Sequence, residues 1–263
     1  MKSALIDTHA HLTDDRFAGN LVEVLEEARQ AGVVAVVNAG YSIESSRAVF
    51  QLAQTLDPCY GVVGIQPGDA PQALGPDLAE IAAMLAHPKI VGIGEIGLDY
   101  YWNKHPRDVQ IAAFAAQIEL ARELRVPFVI HDRDAHGDIL EVLRRFAPYP
   151  HNFVMHCFSG SLEFAEICVA LGGYISLAGP VTFKNAVKPG KMAAAVPLDR
   201  LLVETDCPYL APHPYRGQLN RPVHLPLIAQ RIAEIRGLPL SVVAAQTTAN
   251  ACAVFGLMEV SRP

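Results

Sequence analysis

The sequence predicts an α/β chain folded as a TIM-type (β/α)8 barrel, and three observations carry that prediction. Short apolar, β-branched runs alternate with stretches of helical periodicity from end to end, the pattern of buried parallel strands covered by helices. The 263 residues match the roughly 250 that one such barrel takes. Acidic and histidine residues gather just after the apolar runs, where the strand ends of a barrel converge on one mouth.

Ala4-Leu5-Ile6 reads as the first strand. Leu21 to Ala31 follows as a helix, because Leu21, Val24, Leu25 and Ala28 recur at helical spacing, with Asn20 as candidate N-cap and Gly32 just past the end. Val33 to Val37 is the second strand, with a helix from Ile43 to Leu56. Gly61 to Ile65 is the third, with a helix near Asp77 to Leu85. Ile90 to Ile93 is the fourth, followed by a helix from Val109 to Leu124. Phe128 to Ile130 and the helix Asp138 to Phe146 come next, then Phe153 to Met155 and the helix Leu162 to Leu171. Tyr174 to Leu177 is the seventh strand and Leu201 to Val203 the eighth, and a helical pair remains at Leu225 to Arg236 and Leu240 to Phe255. Closed into a barrel, these strands leave no edge. An open, doubly wound sheet is the alternative, but no GxGxxG follows the first strand, which weakens its dinucleotide-binding form. No repeat or low-complexity linker marks a boundary, so residues 1–263 are read as a single domain. The irregular stretch Ala211 to Pro222 is expected to overhang the mouth.

Composition excludes several classes. With 51% apolar and 18% charged residues, the chain has the makings of a large core rather than of disorder. No apolar run approaches the roughly 20 residues that span a bilayer, and charged residues arrive too early for a signal peptide, so a cytoplasmic protein is expected. The five cysteines, at 59, 157, 168, 207 and 252, form no CxxC pair, and most of them are expected to be small buried hydrophobes. A net charge of −6 argues against a basic face that grips duplex nucleic acid along its length, but leaves room for local capture of a phosphate.

The reactive residues fall at five strand ends: Asp7-Thr8-His9-Ala10-His11, Gly94-Glu95-Ile96-Gly97-Leu98-Asp99, His131-Asp132-Arg133, His156-Cys157-Phe158-Ser159-Gly160 and Glu204-Thr205-Asp206. His9 and His11, two apart on extended backbone, point to the same side. Six ligands can hold two divalent metal ions if one carboxylate is shared, and Glu95 suits that role. The expected first ion has His9, His11, Glu95 and Asp206, and the second Glu95, His131 and His156. Imidazole and carboxylate donors suit Zn, Mn, Fe or Mg without thiolate; Cys157 and Cys207, next to ligands, point the other way along the strand. Paired ions acidify a water and clamp attacking and leaving oxygens, and Asp206 is placed to take the proton as general base. The filled site is locally positive and favours an anionic substrate. Asp99 is either a partner orienting a liganding His or a loop carboxylate. Tyr101 and Trp102 are expected to pack under the loop after the fourth strand, with stacking of a nucleobase as the alternative. The other histidines, 87, 105, 136, 151, 213 and 224, are read as surface residues.

These segments resemble the TatD family of metal-dependent deoxyribonucleases, among the amidohydrolase-like barrels. Asp7 to His11, Gly94 to Tyr100, Ile130 to Arg133, Met155 to Gly160 and Glu204-Thr205-Asp206-Cys207-Pro208-Tyr209-Leu210 match its motifs, as do Thr182-Phe183-Lys184-Asn185 and Pro214-Tyr215-Arg216-Gly217. The resemblance covers essentially the whole chain. It implies a metal-dependent phosphodiesterase, in some members a 3′ to 5′ exonuclease on single-stranded DNA, and makes Arg133, Lys184 and Arg216 candidate phosphate contacts. The chain departs from the family twice. A loop that usually carries a His reads Gly64-Ile65-Gln66-Pro67-Gly68, where Gln66 can hydrogen-bond a phosphate but carries no charge. A frequent Asn-Glu-Pro reads Asn220-Arg221-Pro222. The rival readings are an amidohydrolase or lactonase that attacks a carbonyl, disfavoured by Glu95 where many such barrels bridge metals with a modified Lys, and a barrel that only binds.

Overall fold

Where the sequence places its apolar runs, the structure, a computed structural model that describes residues 4–257, has eight strands in one sheet. In chain order the elements are β1 (Leu5–Ala10), α1 (Leu21–Ala31), β2 (Val33–Ala39), α2 (Ile43–Thr55), β3 (Cys59–Val63), α3 (Asp77–Met84), β4 (Ile90–Asp99) and α4 (Arg107–Leu124). There follow β5 (Phe128–Arg133), α5 (His136–Phe146), β6 (Phe153–Met155), α6 (Leu162–Ala170), β7 (Gly173–Leu177), α7 (Val187–Ala195), β8 (Leu201–Val203), α8 (Leu225–Arg236) and α9 (Leu240–Phe255). The sheet order is β1 through β8 without a reversal, and the described pairings are parallel. β1 also meets the chain leaving β8: Ala10 bridges Cys207, and the His11 N–H donates to the Cys207 carbonyl at 2.7 Å. This is the TIM-type (β/α)8 order, and not the reversing order of an open doubly wound sheet.

The departures from the expected elements have physical causes. β1, β4 and β5 run past their apolar residues through Asp7 to His9, Glu95 to Asp99 and His131 to Arg133, because the parallel ladder continues through polar residues that a buried site can use. β3 stops at Val63 instead of Ile65. The Ser46 hydroxyl both accepts from the Gly64 N–H and donates to its carbonyl, each at 3.1 Å, and the Gln117 amide does the same for Ile65 at 2.9 Å. Helix α7 was not expected, since Pro189 and Gly190 argue against it; Pro189 sits in its first turn, where a missing N–H does no harm. Asn20 makes no side-chain cap on α1, whereas Gly32 ends that helix in the left-handed conformation at φ 99°.

By internal contacts the chain comprises two compact units. The first, Met1–Asn38, Cys157–Ala165 and Ile175–Pro263, packs α8 and α9 on β1 and β8, with Leu5, Ile6, Leu201, Ile232 and Val243 buried among them. The second, Ala39–His156 with Glu166–Tyr174, has an apolar core of Ile43, Val49, Val63, Ile65, Ile81 and Ile90. Among the described residues no single helix is long and apolar enough to cross a membrane.

Candidate metal centre

The first unit gathers His9, His11 and Asp206. Their donor atoms lie within 4.8 Å of one another: His9 Nε2 to His11 Nε2 is 3.3 Å, and Asp206 Oδ1 is 3.9 Å from the first and 3.5 Å from the second. Two residues of separation on β1 put both imidazoles on one side. Asp206 joins them because its N–H donates to the His9 carbonyl at 2.9 Å, with the residue in the left-handed region at φ 55°, where Asp and Asn are the least strained side chains after Gly.

A fully buried carboxylate, Asp7, holds this arrangement. It accepts the Thr205 N–H at 2.9 Å and the Thr205 hydroxyl at 2.5 Å, tying β1 to the residue before Asp206. Burial raises its pKa to about 7 even though both Thr205 bonds favour the charge. Asn220 fixes the far side of the turn, donating to the carbonyls of Thr205 at 2.8 Å and Tyr209 at 2.7 Å.

The second unit gathers Glu95, His131 and His156, one each from β4, β5 and the end of β6. Glu95 Oε1 lies 2.7 Å from His131 Nδ1 and 3.2 Å from His156 Nε2, and the two ring nitrogens are 3.4 Å apart. The other face of His131 is taken: Nε2 lies 3.1 Å from Asp99 Oδ2. Burial acts to lower the His131 pKa, but the bonds to Asp99 and Glu95 outweigh it and hold the value up at about 9. For Asp99, burial acts upward and is outweighed by His131 and the N–H groups of Trp102 and Tyr101, which bring it below the ordinary carboxylate range. Asp99 therefore holds the ring of His131 in place, the contact expected of a partner that orients a candidate ligand. Gly97 makes the approach of the strands possible: it sits at φ 140°, and a Cβ there would lie 2.0 Å from the His131 carbonyl oxygen.

Each cluster offers two imidazoles and one carboxylate at bonding range with no thiolate. That donor set fits a divalent ion.

The candidate substrate contacts divide between the units. In the first, Lys184 and Arg216 are exposed beside one cleft with Phe183 and His213, and the Arg216 guanidinium lies 4.5 Å over the Phe183 ring. Arg221, which replaces an acidic residue of the family pattern, is answered by Glu27 of α1 at 3.0 Å. In the second, Gln66 donates to Asp69 at 3.3 Å, and Arg133 lies 4.1 Å over the Tyr101 ring.

Three expectations need correction. Tyr101 and Trp102 do not pack under the loop: they are 57% and 65% exposed. Their N–H groups are captured by Asp99 Oδ1 at 3.0 and 2.9 Å, and Tyr100 takes the inward place, donating to Asp138 at 2.5 Å. Cys207 is buried as expected, while Cys157 is only half-buried. Of the histidines read as surface residues, His151 and His213 are exposed, but His87, His105, His136 and His224 are half-buried; His136 lies 2.6 Å from Asp132, and His224 stacks on Tyr215 at 4.4 Å. Sequence reasoning missed the anchoring role of Asp7, which lies two residues before His9.

Comparison with known proteins identifies the family. Residues 6–256 match the family model described as TatD related DNase. The uncharacterized metal-dependent hydrolase YabD of Bacillus subtilis is 41% identical over 251 residues, covering 95% of this chain and 98% of its own. The 3′-5′ ssDNA/RNA exonuclease TatD of Escherichia coli K12 is 34% identical over 258 residues, covering 96% and 99%. The crystal structure of YJJV, a TatD homologue from the same organism, superposes with a TM-score of 0.88 at 32% identity, covering 97% of this chain and 99% of the other.

Proposed function

The chain belongs to the family of TatD-related DNases, and from that premise we propose that it is a divalent-metal-dependent phosphodiesterase that shortens single-stranded nucleic acid from the 3′ end. The observation that carries the reading is the pair of donor clusters at strand ends, each with two imidazoles and one carboxylate. His9, His11 and Asp206 would hold one ion, and Glu95, His131 and His156 another; the shared role of Glu95 and the choice among Zn, Mg and Mn belong to the same proposal. Bound ions would supply Lewis acidity, lowering the pKa of a water and neutralising phosphate oxygens.

The protein's own residues do the rest. Asp206 holds the proton taken from the attacking water, with its carboxylate kept in place by the backbone bond to His9. Asp99 fixes the ring of His131 so that Nδ1 faces Glu95. Lys184, Arg216 and Arg133 supply positive charge for the phosphates of the strand, and Gln66 an uncharged N–H donor. The similarity to an exonuclease named for both ssDNA and RNA supports a nucleic-acid substrate of either sugar. The five cysteines are free thiols, which fits a reducing cytoplasm. Residues 1–263 are proposed as a single hydrolase domain.

The test is an assay of purified protein with Mg, Mn or Zn against 3′- and 5′-end-labelled single-stranded DNA and RNA, beside a panel of lactones and amides. The expected result is stepwise loss from the 3′ end. Intact nucleic acid with turnover of a carbonyl substrate would replace this reading.

A further inference from the structure

The loop between β4 and α4 presents an arrangement that the metal clusters do not use. Tyr101 and Trp102 stand in solvent with their rings edge to face at 5.1 Å, and Arg133 covers Tyr101 at 4.1 Å and reaches Trp102 at 5.9 Å. Large aromatic side chains this exposed forgo their burial energy, and here two of them stand together beside a cleft. Beside them is a cleft lined by Gln66, Gly68, Asp99, Trp102, Asn103 and Lys104. Gly68 leaves room there: a Cβ on it would lie 3.4 Å from both Gln66 Nε2 and Lys104 Nζ, so an amide and an ammonium nitrogen border one small space. Asp99, the one carboxylate lining the cleft, has Oδ1 engaged by two backbone N–H groups and Oδ2 by His131, and Asp69, 3.3 Å from Gln66 Nε2, takes one of the two hydrogens of that amide and leaves the other.

We propose that this loop is a subsite for one unpaired nucleotide, in which Trp102 stacks the base and Lys104 with Gln66 holds its phosphate. The inference rests on the phosphodiesterase reading above and adds to it the reason for preferring a single strand. A base within a duplex has its faces covered by neighbours and cannot lie on an indole, whereas any unpaired base can, whatever its identity. The guanidinium stacked on Tyr101 stiffens the platform and adds positive charge near the backbone of the strand. Asp99 links the platform to the second cluster, because one carboxylate positions both the loop and His131.

Trp102 is the only tryptophan in the chain, so fluorescence excited at the red edge, beyond tyrosine absorption, reads this site alone. A cleavage-resistant phosphorothioate pentathymidylate is expected to quench it to saturation, and a blunt-ended duplex without unpaired bases to leave it unchanged. In turnover, Trp102→Ala is expected to lower the ratio of kcat/KM on single-stranded DNA to kcat/KM on bis(p-nitrophenyl) phosphate by about 5- to 100-fold, chiefly through KM. Trp102→Phe should restore most of the ratio. Lys104→Gln should reduce the slope of log affinity against log salt by roughly one contact. Val187→Ala, at an exposed apolar residue elsewhere, should leave the ratio alone. An unchanged ratio in Trp102→Ala, with the small diester still cleaved, overturns the subsite and leaves the phosphodiesterase standing. Failure of the wild type to cleave either diester overturns the underlying reading. Fluorescence that follows protein concentration instead of the oligonucleotide would make the platform a contact between copies, and also overturns the proposal.

Discussion

The two donor clusters are alike in composition and unlike in construction. In the first, two imidazoles come from one strand and the carboxylate is brought in by a strand-to-strand tie, with buried Asp7 gripping Thr205. In the second, three neighbouring strands give one donor each, and an outer carboxylate, Asp99, aligns one of them. The first cluster is rigid through its backbone and the second through a side-chain relay. The comparison teaches that the same ligand set can be preorganised in two ways, and that each way fails differently when disturbed.

The sharpest break is at Asp206. Asp206→Asn should lower kcat on single-stranded DNA by about 10²- to 10⁴-fold, the usual worth of a general base, while circular dichroism stays native because Asn tolerates the left-handed backbone at φ 55°. Wild-type turnover in that variant would remove Asp206 from the chemistry. The next effect separates the clusters. Asp99→Asn should weaken ion binding about 10- to 100-fold, and titration with metal analysis should place the loss in the second cluster, with the first still filled. Equal weakening of both would show that the relay is not local to His131.

Thr205→Val tests the other design. It removes the hydroxyl that donates to buried Asp7, and denaturant unfolding should show a loss of about 1–3 kcal/mol. An unaltered midpoint would mean that Asp7 finds another donor. The mildest probe is pH. His131 in the metal-free protein has a pKa raised from 6.5 to about 9, so its contribution to stability is fully present below pH 6.5 and is lost as the pH rises towards 9. Thermal melts of the metal-free protein should decline across that window, and less so in Asp99→Asn. A flat profile would show that the Asp99–His131 pair does not stabilise the empty site.

The contrast also explains what could be read beforehand. His9 and His11 announce themselves because their separation in sequence is their separation in space. His131 and His156 were legible only through the barrel expectation, which assigns strand ends to one face. Asp7 was not legible as an anchor, since nothing local distinguishes a ligand from a buried tie when both flank the same histidine. The extents of β1, β4 and β5 were underestimated for a related reason: alternation rules stop a strand at polar residues, and a buried polar site is where that rule gives way. Tyr101 and Trp102 were misplaced because their composition suggests packing, and only the capture of their backbone by Asp99 decides otherwise.

Asp99 has a thermodynamic consequence. Its two oxygens serve two masters, Oδ1 the loop at Tyr101 and Trp102 and Oδ2 the ring of His131, so ordering either side restricts the other. Linkage then requires reciprocity: the factor by which a filled second cluster tightens a ligand on the loop equals the factor by which that ligand tightens the ion. The coupling is one number approachable from both directions, by ion affinity with and without the oligonucleotide and by oligonucleotide affinity with and without the ion.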